Sequence, residues 1–222
     1  MIAELLLKSI YMKKTICSSI VIILIMFIVG FYFYPMMPEQ IASHWNFQGE
    51  VDGYMSKFWG LFFIPLLIAF INILMFLVPK IDPKRINIEK FKDSYGNFII
   101  IFNLFMLYIF SLTIAWNLDY KFDMNIAILP AFAVFFFFVG QLIGKAKRNY
   151  MIGIKLPWTL ANDIVWDKTH KKGEKVFKIV AIAILLGMFF KEYAFWFMFI
   201  PLTLGIVYLV VYSYIEYKKL DK

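Results

Sequence analysis

The chain has 222 residues, 62% of them hydrophobic and 20% aromatic, with a mean hydropathy of +0.74. That much apolar surface cannot be buried in one water-soluble core of this size, so lipid must be the main solvent. The net charge of +8 would point to nucleic acid in a soluble domain. In a membrane chain it fits basic cytoplasmic loops facing anionic lipid, with no direct nucleic-acid contact. A lone cysteine, Cys17, excludes an intramolecular disulfide and a cysteine-held metal, and its ordinary role in an apolar run is as a small filler.

Lys8, Lys13 and Lys14 precede the first apolar run, in the manner of a secretory signal. The run is too long for one, lacks a small-residue cleavage site and is followed by further spans, which predicts an uncleaved helix. Apolar stretches that can cross about 30 Å of hydrocarbon as helices are expected at residues 15–34, 58–78, 98–118, 126–143, 176–190 and 193–215. The third and fourth are joined by the short polar link 119–123, which predicts a helical hairpin. The fifth is short and carries Lys178 near its start, where a long side chain can snorkel. Pro130 and Pro201 lie inside spans and can kink them. Two Asn, Asn72 and Asn103, with Ser111 and Thr113, are the main polar residues within the second and third spans, and hydrogen bonds between helices account for them.

Basic residues are distributed very unevenly between the two sides. Nineteen of the 23 Lys and Arg fall on the side of the termini and of the loops near 80–92 and 145–175, against only Lys57, Lys121 and Lys191 on the other. The cytoplasmic side carries the basic excess, so both termini are expected there. The expected architecture is all-α: a polytopic helical bundle of about six spans, one integral membrane domain over 1–222.

Two loops hold nearly all the informative polar residues. The extracellular loop, 35–57, mixes aromatic residues with Glu39, His44, Trp45, Asn46, Glu50 and Asp52, and Gly49 and Gly53 supply turn positions, so a compact loop is expected. His44 with Asp52 or Glu39 can hold a cation, a proton or a ligand group, although the spacing matches no defined metal motif. On the structural alternative, Asp52 braces the turn, His44 bonds a backbone carbonyl and Trp45 sits in the interfacial belt. The cytoplasmic loop, 145–175, is expected to contain a short helix capped by Thr159 or Asn162, with Asp163 in its first turn, Lys171 and Lys172 in its last, and Gly173 at its end. Trp166, Thr169 and His170 share one face of it.

The run from Met37 to Lys57 resembles a family of prokaryotic membrane domains known by a number rather than a function. Pro38, His44, Asn46, Gly49, Asp52 and Lys57 stand at matching places, and Ala42 replaces an expected proline. The second loop resembles the SdpI family of membrane proteins through Gly140, Asn149, Gly153, Ile154, Pro157, Trp158, Thr159, Leu160, Trp166, Thr169 and His170. Lys155 stands where that family usually has Arg, which keeps the charge and loses the fork of donors. The resemblance implies a multi-pass protein of a prokaryotic cell membrane that gives immunity to a secreted, membrane-attacking toxin on the outer face, and no cofactor. It also implies signalling, since the founding type holds a small cytoplasmic repressor at the membrane. Glu39, His44, Trp45, Asn46 and Asp52 are then candidates for the outer partner. Asn149, Gly153, Lys155, Pro157, Trp158, Thr159, Trp166, Thr169 and His170 are candidates for the inner one. A structural role for the inner set, with Trp158 and Trp166 anchoring an interfacial helix and His170 capping a turn, stays open beside this.

Two other functional classes fit the sequence less well. A small transporter or proton-coupled carrier needs ionisable groups inside the spans, and they are nearly absent. An enzyme could pair His44 with Asp52 or His170 with Asp167, but the two histidines fall on opposite faces, and no nucleophile elbow, phosphate loop or His-Glu-x-x-His motif is present.

Overall fold

The computed structural model describes residues 2–221, with side chains from 12 to 220. Lys8 and Lys222, which enter the charge distribution above, lie outside the described side chains. Five helical stretches among the described residues are long and apolar enough to cross a membrane: Met12–Met36, Lys57–Ile81, Lys92–Asn117, Met124–Lys145 and Lys191–Lys218. They correspond to the first four expected spans and the last, and among the described residues the regular structure is helical apart from one hairpin. The elements run α1 (Ile2–Phe33), β1 (Gln40–Trp45), β2 (Val51–Ser56), α2 (Lys57–Ile81), α3 (Arg85–Glu89), α4 (Lys92–Asn117), α5 (Met124–Lys145), α6 (Pro157–Ala161), α7 (Asp163–Gly187) and α8 (Ala194–Lys218). Pro130 and Pro201 lie inside α5 and α8.

Two expectations change. The compact loop at 35–57 contains strands that an all-α chain did not lead one to expect: β1 and β2 pair antiparallel, with register shifts on either side of His44. The short helix expected to end at Gly173 instead runs on to Gly187 and takes in most of the stretch 176–190. Gly173 is a packing residue here. A Cβ on it would come 2.8 Å from Ile154 and 3.1 Å from Ile143, so the missing side chain lets the helix lie close rather than stop. The apolar half of α7 is short and begins with Lys175 and Lys178, so α7 lacks the long uncharged run of the other five. Its Ile179, Ile182 and Leu185 are nonetheless exposed, as on a face that meets lipid.

The chain divides into two compact units, one formed by residues up to Leu74 with Ile99–Ala131, the other by Met75–Phe98 with the residues from Phe132 on. In the first, Met26, Ile68 and Phe110 are fully buried in a cluster that also takes in Ile41 and Leu61. The polar span residues there satisfy one another. Asn72 Nδ2 donates to Asn103 Oδ1 at 2.7 Å, and Asn103 Nδ2 donates to Ser19 Oγ at 2.9 Å. Ser111 and Thr113 bond back to carbonyls one turn earlier. In the second unit α7 packs along α8, where Gly187 faces Phe197 and Gly205 faces Val176 closely enough that a side chain on either glycine would clash.

Candidate functional site

Each unit holds one of the two motifs. The hairpin is seated on the start of α2, where Ile41, almost fully buried, covers Gly60 so closely that a Cβ there would lie 2.7 Å from the Ile41 Cβ. Its free edge is closed by a helix side chain. Asn117, at the end of α4, accepts from the Ala42 N–H at 2.8 Å and donates to the Ala42 carbonyl at 3.0 Å, completing a backbone pair as a third strand would. Trp116 beside it meets Trp45 edge to face at 5.4 Å. The turn is built by Asn46, whose Oδ1 accepts from the N–H groups of Gln48 and Glu50, and by Gly49 at φ 84°, a left-handed conformation that favours glycine. Asn125 of α5 donates to the carbonyls of Asn46 and Phe47, so the tip is held as well.

On this frame His44 Nδ1 lies 2.5 Å from Asp52 Oδ1, with the two side chains 70% and 45% exposed. Gly53 stands opposite His44, and a Cβ there would come 2.9 Å from that of His44. His44 thus bonds a carboxylate and not a backbone carbonyl. Glu39 pairs with Lys57 at 3.3 Å, whose ammonium also lies over the Tyr34 ring. Among the described residues no group of three His, Cys, Asp or Glu is placed to hold a metal ion. A cleft of about 450 Å³ opens beside the hairpin, lined by Met36, Met37, Gln40, Tyr54, Trp116 and Lys121, with the Lys121 ammonium 3.5 Å from the centre of the Trp116 ring. Asn117, Trp116 and Asn125 were absent from the sequence candidates. Their only signal was position, at the two ends of a polar link between spans.

The long loop is built inward. Trp166 is fully buried and donates from Nε1 to the Ala146 carbonyl at 2.8 Å. His170, 1% exposed, stacks on it at 3.9 Å. The His170 Nε2 faces the Ile154 N–H at 3.0 Å and its Nδ1 faces the Trp166 carbonyl at 2.8 Å, which fixes the tautomer with the proton on Nδ1. Burial pushes its pKa down to about 4 against the opposing backbone hydrogen bond, so the ring is neutral at physiological pH. Gly153, at φ 126°, passes over this pair, where a side chain would run into His170 Nε2.

The remaining motif residues also serve the loop itself. Asn149 accepts from the N–H groups of Met151 and Ile152 and donates to the carbonyls of Lys147 and Ile152. Thr159 Oγ1 accepts from the Leu156 N–H and donates to the Ile154 carbonyl, while Pro157 opens α6. Asn162 caps α7 through the N–H groups of Ile164 and Val165. Trp158 Nε1 donates to Ser213 Oγ at 2.8 Å, and Lys155 reaches back to the Met151 carbonyl. Thr169 Oγ1 is buried without a hydrogen-bond partner. Asp167 pairs with Lys147, not with His170. Two braces escaped the sequence reading: buried Asp82 accepts from the Tyr150 N–H, and Arg148 bonds the Leu160 carbonyl and Asp163.

Residues 145–213 match the SdpI/YfhL protein family, and residues 21–69 match a domain of unknown function, DUF1648. The chain carries an SdpI/YfhL family domain behind a DUF1648 domain. The immunity protein SdpI of Bacillus subtilis (strain 168) is 29% identical over 212 residues, covering 95% of this chain and 99% of that protein. No solved structure matches. The SdpI/YfhL match runs past the expected loop boundary into α8 and ends at Ser213, the residue that receives the Trp158 indole. The DUF1648 match encloses the whole hairpin.

Proposed function

We propose that this membrane protein confers immunity to a secreted, membrane-active toxin, with the hairpin outside the cell and the SdpI/YfhL loop in the cytoplasm. The observation that carries this reading is the correspondence along 95% of the chain with a protein named for immunity, which spans both motifs and not one of them alone. The orientation rests on the basic excess around the SdpI/YfhL loop. The hairpin supports the outer role because it is held by α2, α4 and α5 while the His44 and Asp52 side chains stay exposed. Rigid support under exposed polar groups is what a recognition surface requires.

The test is complementation of a strain that lacks this gene, challenged with the toxins secreted by its own species. The wild-type gene should restore growth, and a His44→Ala, Asp52→Asn double variant present in the membrane at equal level should not. A wild-type gene that restores nothing would remove the immunity reading, and full protection by the double variant would remove the hairpin from it.

Signalling to a cytoplasmic repressor is the second part of the proposal. Tyr150, Met151 and Ile164 are exposed apolar side chains of this region, and Lys155 and Pro157 are exposed with them, a mixture of apolar and basic groups that suits a protein partner. Trp166 and His170 act from within by holding the backbone of the loop at Ala146 and Ile154. A Met151→Asp, Ile164→Asp variant should retain resistance and lose toxin-dependent induction of a reporter driven by the gene's own promoter.

A further inference from the structure

A second cavity, of about 410 Å³, lies in the second unit where α4 begins and α5 ends. Four lysines line it: Lys90, Lys92, Lys145 and Lys147. Lys92 is the unusual one. It is only 8% exposed, its Nζ is withdrawn from solvent and has no hydrogen-bond acceptor, and its ion pair with Glu89 is long, at 3.8 Å. A buried ammonium without acceptors is costly, and the cost falls if an anion from outside the chain completes its shell. The first turn of the 26-residue α4, from Lys92 through Ser94, lines the same cavity, adding the positive end of a long helix to the lysines.

The acidic groups nearby leave this balance positive. Glu89 faces Lys92, Asp93 lies in the first turn of α4, and Glu174, beside Gly144, is held by Lys178 at 2.6 Å. Lys147 is committed to Asp167 and Lys90 to the Asn87 side chain. Lys92 and Lys145 remain to meet a ligand.

We propose that this cavity is a phosphate site, filled by the headgroup of an anionic phospholipid or by a free phosphate. Lys92 supplies the buried charge at its base, Lys145 the exposed charge at its rim and the α4 N-terminus the backbone donors. An ordinary solvated lysine cluster would lack the desolvated, acceptor-free ammonium. The site is independent of the immunity proposal, since it lies apart from the hairpin in sequence and draws on none of the residues named there.

The test uses the full-length protein in non-ionic detergent, titrated with short-chain phosphatidylglycerol or with inorganic phosphate, and read by retained adducts in native mass spectrometry and by the shift in melting temperature. Lys92→Gln and Lys145→Gln should each weaken binding about tenfold, the loss of one charge-assisted hydrogen bond, Lys92→Arg should restore part of it, and Lys171→Gln should leave it unchanged. Binding of phosphatidylglycerol alone assigns the site to a lipid headgroup, and an equal response to inorganic phosphate assigns it to a free anion. The proposal is overturned if the wild type binds neither probe more tightly than the Lys92 and Lys145 variants do, or if Lys171→Gln weakens binding as much as they do. Lys145→Gln keeps the test decisive should the buried Lys92 variants fail to fold.

Discussion

The hairpin and the long loop use the same alphabet, a histidine, a tryptophan and a carboxylate within a few residues, and spend it in opposite directions. In the hairpin the backbone is fastened by side chains from distant helices, and the His44–Asp52 pair is left in the open. In the long loop the motif residues fasten their own backbone. His170, Trp166, Asn149 and Thr159 are buried, with their hydrogen bonds turned inward on the loop. The two histidines therefore differ in kind: one is exposed, and the other is a neutral brace between helix α7 and the loop backbone at Ile154. Motif density alone does not distinguish recognition from support; the direction of the hydrogen bonds does.

The contrast can be broken most severely in the long loop. Trp166→Ala removes a fully buried indole together with its bond to Ala146, and should lower stability by about 3–5 kcal/mol, measured by unfolding in mixed detergent micelles. Acid provides the next test. His170 has a folded pKa of about 4, below the unfolded value of about 6.5, so the unfolded chain binds the proton more readily between those values. The stability it contributes is complete above pH 6.5, falls as the pH drops from there toward 4, and changes no further below. Its size is on the order of 3 kcal/mol, and His170→Gln should flatten that part of the profile. Removing the brace from the hairpin costs less. Asn117→Ala orphans the N–H and carbonyl of Ala42 and should cost about 1–3 kcal/mol, with faster amide exchange at Ala42 as its signature. Smallest is Asp52→Asn, an exposed change expected within about 0.5 kcal/mol, so a loss of resistance in this variant, measured by the same complementation, would arise at the surface and not from unfolding.

The helices were legible because their evidence is local and redundant: long apolar runs mark α1, α2, α4, α5 and α8 whatever surrounds them. The shared face of Trp166, Thr169 and His170 and the cap at Asn162 were equally local, following from helical spacing and a short polar side chain before Asp163. The hairpin was illegible for the opposite reason. Its strands are only six residues each, and Ala42 owes its strand-like partner to an asparagine 75 positions away. Gly173 was misread as a stop because a glycine that permits close packing and one that ends a helix look alike until the neighbours Ile143 and Ile154 are placed. Asp82 and Arg148 were missed since their partners are backbone groups of other segments, to which a sequence pattern gives no address.

The closure of the hairpin edge by Asn117 has a consequence in time. A ribosome adding about 5–20 residues per second makes Asn117 several seconds after Ala42, and α4 must then enter the bilayer before its last turn can reach the strand. Through that interval the nascent chain presents an unfinished strand edge. The hairpin is thus completed only once the third long helix is in place, so the order of membrane insertion sets the earliest moment at which a newly made molecule can take up the outer role proposed for it.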